Sequence, residues 1–137
     1  MSGCSTEFSF VLKPSPIGGV GFFATHDIPS GTILFRQENH PVRRLKVCDI
    51  PQELLKYCIY INDQECIAPE RFDRMEIGWY LNHSFDPNVA HQASIEWNDE
   101  SHVNTLYAIK DIKAGDEILM NYNDLDEPED LKEEFYK

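Results

Sequence analysis

At 137 residues the chain is long enough for one hydrophobic core and too short for two, so a single domain over 1–137 is expected. Its formal charge of −12 excludes a surface that grips phosphate backbones, which rules against direct nucleic-acid binding; the acidity suits a basic partner, or serves only solubility. No apolar run approaches the ~20 residues that cross a bilayer, and Met1 to Glu7 lacks a basic segment leading into a hydrophobic one, so the expected setting is soluble and intracellular, without membrane contact.

In chain order, Phe8, Phe10 and Leu12 alternate with Ser9, Val11 and Lys13, the period of a half-buried strand, and Pro14-Ser15-Pro16 stops it. After Gly18 and Gly19, Val20 to Ala24 and Thr32 to Phe35 read as strands, separated by the turn Ile28-Pro29-Ser30-Gly31. Between Asp49 and Ile61 the spacing of Ile50, Leu54, Tyr57, Cys58 and Ile61 predicts a helical face, with Asp49 as N-cap and Gln52 at the capping-box position. Glu76 to Leu81 reads as a second short helix or a helical turn, and Asn82 to Asn88 as a loop.

Further along, Ala90 to Trp97 and His102 to Ile109 read as strands around an Asn98-Asp99-Glu100-Ser101 turn, and Glu117 to Asn121 as the last strand. From Asp124 to Glu134 seven acids stand against one lysine, the composition of a solvated tail. The four cysteines form no CxC or CxxC pair and the five histidines are scattered, so reduced thiols and no bound metal are expected.

Three segments carry polar or glycine-rich chemistry. Gly18-Gly19-Val20-Gly21 lets a ligand approach the main chain, although glycine pairs in β-rich chains are more often plain turns. Leu81-Asn82-His83-Ser84-Phe85-Asp86-Pro87-Asn88 is dense in groups that both donate and accept hydrogen bonds; taken alone it is more readily an Asx-rich turn. Lys110 to Tyr122 ends on a tyrosine, which by itself reads as half-buried packing with a wet hydroxyl.

Order and spacing change that weighing. A GxG turn, an NHSxxPN loop and a GDEI segment ending in Asn-Tyr, in that order from about Lys13 to Tyr122, resemble the successive motifs of the SET family of protein-lysine methyltransferases. The resemblance implies a mainly β fold of β-clip type, with several small curved sheets, a pseudoknot and one or two short helices. It implies S-adenosylmethionine as cofactor, held at Gly19, Val20, Gly21, Asn82, His83 and Tyr122, and Tyr122 as the catalytic residue beside the transferred methyl. The implied activity is methyl transfer to lysine in a basic protein or peptide, a histone among the candidates. Tyr60 and Met120 are the expected substrate-side residues, with Tyr57 or Tyr80 as substitutes for Tyr60.

Three positions depart from the family pattern: Val20 stands where an aromatic is common, Phe85 where a cysteine follows NHS, and Met120 where Phe or Tyr tunes the number of methyl groups. The family's frequent cysteine-rich zinc tail has no counterpart after Cys66; Leu131, Phe135 and Tyr136 folding back or a homodimer partner would cover the site, and a frayed tail is the equal alternative. Two other readings stay open on sequence: a SET-like binding or scaffold protein without activity, and an unrelated all-β protein using His83, His91 and His102.

Overall fold

The computed structural model describes residues 6, 8–38, 42–73, 75, 77–93, 103–125 and 127–137. Among the described residues ten short strands form four small sheets. β1 (Phe10–Pro14) and β2 (Val20–Ala24) make an antiparallel hairpin around the Gly18-Gly19 turn. β3 (Ile33–Glu38), β8 (Val89–Ala93) and β9 (Val103–Ala108) form a second sheet in the order β3-β9-β8. β4 (Val42–Lys46), β5 (Ile59–Tyr60) and β6 (Glu65–Pro69) form a third in the order β4-β6-β5. β7 (Asn82–His83) and β10 (Leu119–Met120) pair in parallel.

The main core gathers side chains of β2, β3, β8, β9 and β10 and of the segments between them: Phe22, Ala24, Ile28, Leu34, Leu81, Val89, Leu106, Ala108, Ile112, Ile118 and Met120. Phe10 packs against it, its ring centroid 4.6 Å from that of Phe22. β1 otherwise departs from the sequence expectation, because Val11 and Leu12, with Phe8 before them, are all exposed; β1 is the outer strand of the hairpin and β2 the buried one. A second cluster of Ile50, Cys58, Cys66 and Ala68 joins the β4-β6-β5 sheet to the segment before β5.

That segment corrects the expected helix. In place of one α-helix from Asp49 to Ile61 there are 3-10 turns at Val47–Asp49 and Gln52–Tyr57, followed by β5. Pro51 is the reason: it lacks an N–H and forces the residue before it out of the α region, and Ile50 is extended with φ −104 and ψ 128. Asp49 therefore caps nothing, and Pro51 precedes the longer turn without a side-chain cap. The apolar spacing was real, since Ile50, Leu54, Leu55 and Cys58 pack together, but it is delivered by two turns and a strand.

Ile77–Tyr80 forms the short helical turn expected there. The 94–102 connection between β8 and β9, where a turn is expected, lies outside the described residues. Cys48, Cys58 and Cys66 are free thiols. Among the described residues no helix is long and apolar enough to cross a membrane, and no group of three or more His, Cys, Asp or Glu is placed to hold a metal ion.

Candidate functional site

The three motifs converge on one clasp. The 82–88 loop is sewn to the last strand by Ser84 N–H on the Met120 carbonyl at 2.9 Å and by Asn88 N–H on the Leu119 carbonyl at 3.1 Å. Asn88 closes the seam with its side chain, its Oδ1 accepting from Leu119 N–H and its Nδ2 donating to the Glu117 carbonyl, each at 2.8 Å. The other side of the GDEI segment is stitched to β2 by Ala24 N–H on the Asp116 carbonyl and Ile118 N–H on the Phe22 carbonyl. Segments more than thirty residues apart thus become one backbone unit.

At its centre lies the Glu117 carboxylate. Ser15 Oγ donates to it at 2.8 Å and Asn82 Nδ2 at 2.7 Å, while the same amide reaches the Val20 carbonyl at 3.3 Å. This explains Gly21. A Cβ there would stand 2.5 Å from Glu117 Oε2 and 2.9 Å from the Phe23 ring, so glycine is what lets the acid reach Asn82. Glu117 joins the candidate site through these contacts, and its place in the GDE triplet is the sequence signal for it.

A cleft of about 850 Å³ opens beside the clasp, within the range of sites that enclose small ligands. Gly18, Gly19, Val20 and Asn82, drawn together by the Asn82–Val20 hydrogen bond, line one end, and Tyr57, Tyr60, Trp79, Tyr80, Met120 and Tyr122 are among the residues that line the rest. Gly19 has φ +60, and a Cβ on Gly18 or Gly19 would meet no atom within 4 Å, so the turn offers bare main chain to open space. Gly21 and His83 do not line the cleft; they stand behind its wall. Phe22 is fully buried in the core and does not replace the aromatic absent at Val20.

Tyr122 is fixed from two sides. Its backbone N–H donates to His83 Nδ1 at 3.0 Å and its hydroxyl donates to the Leu81 carbonyl at 2.7 Å. Burial first, then the carboxylates of Glu133 and Glu117, push its pKa up to about 12, so the phenol keeps its proton at neutral pH. With that proton committed to Leu81, the oxygen is free only to accept.

His83 is buried, and burial lowers its pKa, favouring the neutral ring. Since Nδ1 accepts from Tyr122, the neutral tautomer carries its proton on Nε2, a buried atom with no hydrogen-bond partner among the described residues. Around that ring stand Phe85 at 4.5 Å, edge-on, Tyr122 at 5.2 Å, Tyr136 at 5.8 Å and Phe135 at 5.9 Å between centroids. The acidic 124–134 stretch does not simply extend into solvent. Pro128 begins a 3-10 turn at Glu129–Leu131, a second follows at Glu134–Tyr136, and Tyr136 is buried.

The SET domain family model matches residues 19–123, well over half the chain. The chain belongs to the SET domain family. S-adenosylmethionine is the cofactor of SET-domain methyltransferases, and the bare Gly18-Gly19 main chain beside Asn82 fits a small ligand at that end of the cleft.

A Schizosaccharomyces pombe protein, histone-lysine N-methyltransferase set5, is 43% identical over 49 residues, 36% of this chain and 14% of that protein's length. The chain therefore matches only a small part of that relative. Among solved structures, a Plasmodium falciparum protein described as a histone methyltransferase superposes with a TM-score of 0.60 at 23% identity, over 84% of this chain and 93% of the other. Polycomb Repressive Complex 2 from Chaetomium thermophilum, in an autoinhibited conformation bound to S-adenosylmethionine, gives 0.60 at 21% identity, over 87% of this chain and 16% of the other. At such identities these structures speak for the fold.

Proposed function

We propose that this SET domain transfers a methyl group from S-adenosylmethionine to the side-chain amine of lysine in a basic protein, a histone being the class named for its S. pombe relative. The observation that carries the reading is the Tyr122 hydroxyl on the cleft wall, its proton spent on the Leu81 carbonyl and its oxygen left as an acceptor. An amine entering the cleft can donate to that oxygen, which fixes its direction of approach. Such alignment of two reactants supplies much of the rate in a displacement at carbon. Tyr122 is not the base: with a pKa of about 12 it would have to lose its own proton first.

When bound, the cofactor supplies an electrophilic methyl on a sulfonium. The residues that would hold it are Gly18, Gly19, Val20 and Asn82 at the cleft surface, with His83 behind them setting the Tyr122 backbone. A lysine ammonium has no lone pair, and removing its proton at pH 7 costs about 4–5 kcal/mol. The aromatic wall of Tyr57, Tyr60, Tyr80 and Tyr122 desolvates the incoming group and so lowers that cost. Glu127 and Glu133, also on the wall, act oppositely and favour arrival of the cation.

Asn82→Ala tests the cofactor end. Removing the amide frees Glu117 and the Val20 carbonyl together, and cofactor affinity measured by calorimetry should fall more than about tenfold, the scale of one lost buried hydrogen bond. Unchanged affinity would displace the site from the Gly18–Asn82 end of the cleft.

A further inference from the structure

Glu127 stands where three parts of the chain meet, and the transfer reading gives it no role beyond charge. It is buried at 8% exposure. Its Oε2 accepts the Tyr60 N–H at 2.7 Å and its Oε1 accepts the Tyr136 hydroxyl at 2.6 Å. Ile61 N–H donates to the Glu65 carbonyl on β6, so by the alternation of a strand the Tyr60 N–H points away from β6, at the open edge of the sheet. Glu127 thus caps an edge donor with one oxygen and holds the C-terminal tyrosine with the other.

Tyr136 in turn is held at its backbone, where its carbonyl accepts from Asn123 Nδ2 at 2.8 Å. Fixed at both ends, its ring lies edge-on to Tyr122 with centroids 5.2 Å apart and interplanar angle 77°. A carboxylate accepts at both oxygens, so it can take two donors at once. A Gln of the same shape keeps the Tyr60 N–H on its oxygen but turns an NH2 donor toward the Tyr136 hydroxyl, which must then reverse to accept. The pairing as it stands, with both oxygens accepting, uses a property of a carboxylate.

We propose that Glu127 is a positioning residue: it ties strand β5 to the C-terminal segment and sets the Tyr136 ring against Tyr122, so that the tail, and not solvent, forms the Tyr122 end of the cleft. The clamp itself stands on geometry alone; its effect on turnover rests on the methyl-transfer reading.

The test combines amide hydrogen exchange with turnover in Glu127→Ala, Glu127→Gln, Tyr136→Phe and the Glu127→Ala/Tyr136→Phe double variant. Expected is exchange at the Tyr60 amide and across 129–137 about tenfold or more faster in Glu127→Ala. Methyl transfer should fall about tenfold or more in the same variant, with Glu127→Gln in between although its melting temperature matches the wild type. The double variant should be no slower than the worse single variant, because both substitutions cut one linkage.

Unchanged exchange in Glu127→Ala overturns the clamp. Faster exchange with undiminished transfer, or effects of the two single variants that multiply, overturns the positioning role. If Glu127→Ala does not fold, the near-isosteric Glu127→Gln and Tyr136→Phe carry the same comparison. A wild-type protein inert toward every lysine substrate overturns the functional reading, while exchange still decides the clamp.

Discussion

His83 shows how one side chain serves the site from behind its wall. Nδ1 can accept from Tyr122 N–H only while the ring is neutral, and burial keeps its folded pKa below 6.5. Between that folded value and 6.5 the unfolded chain binds a proton that the native ring refuses, so this group's stabilisation is present above pH 6.5 and declines as pH falls through the window. Thermal unfolding followed from pH 7.5 to 5.5 should show a falling melting temperature whose slope is shallower in His83→Gln. Equal slopes would mean that the imidazole does not titrate between the two states. In the other direction, Tyr122 stays protonated up to about pH 12, so transfer should climb with the neutral lysine fraction from pH 7 to 9 without a descending limb from this phenol.

The strands and turns show which parts of a fold local sequence can announce. The β1–β2 hairpin, β3, β8, β9 and the last strand were legible, because glycine turns punctuate short alternating runs. The turns and strand of 49–61 were not, because helical spacing of apolar groups records which side chains meet and not the backbone that brings them there. The β4–β6 pairing went unread as well. Val42–Lys46 carries two arginines and takes its partner from a strand beyond two intervening turns, where Arg44 meets Glu65 at 2.7 Å.

At the candidate site, the motifs pointed to Asn82, His83 and Tyr122, which the fold brings together, whereas Glu127 was hidden in an acidic run in which each carboxylate looks equally solvated. The glycine turn gives an element-scale test. Gly21→Ala drives a Cβ against Glu117 and Phe23 and should unseat Asn82, weakening cofactor binding several-fold along with a loss of about 1–3 kcal/mol of stability. Gly115→Ala meets no atom, lies outside the cleft lining and should cost only the positive-φ strain of about 1–3 kcal/mol. Equal cofactor affinity in the two variants would contradict the steric account of Gly21.

For the molecule as a whole, the clasp of 82–88 with 117–122 joins the main core to the cleft, and the tail packs its last aromatic residues against Tyr122 and His83. The −12 charge bears on encounter more than on fold. With a cationic substrate, KM should rise several-fold between about 50 and 500 mM salt while the maximal rate changes little, since screening acts on long-range attraction. A salt-independent KM would leave the acidity to solubility alone.

The central claim is most directly tested by following labelled methyl from S-adenosylmethionine into histones and a whole-cell lysate, with wild type and Tyr122→Phe assayed beside their cofactor affinities. The account predicts label on lysine side chains with the wild type, transfer slower by about a hundredfold, ~3 kcal/mol, in Tyr122→Phe, and cofactor affinity little changed between them; no lysine label from a folded, cofactor-binding wild type, or equal rates in the two proteins, would contradict it.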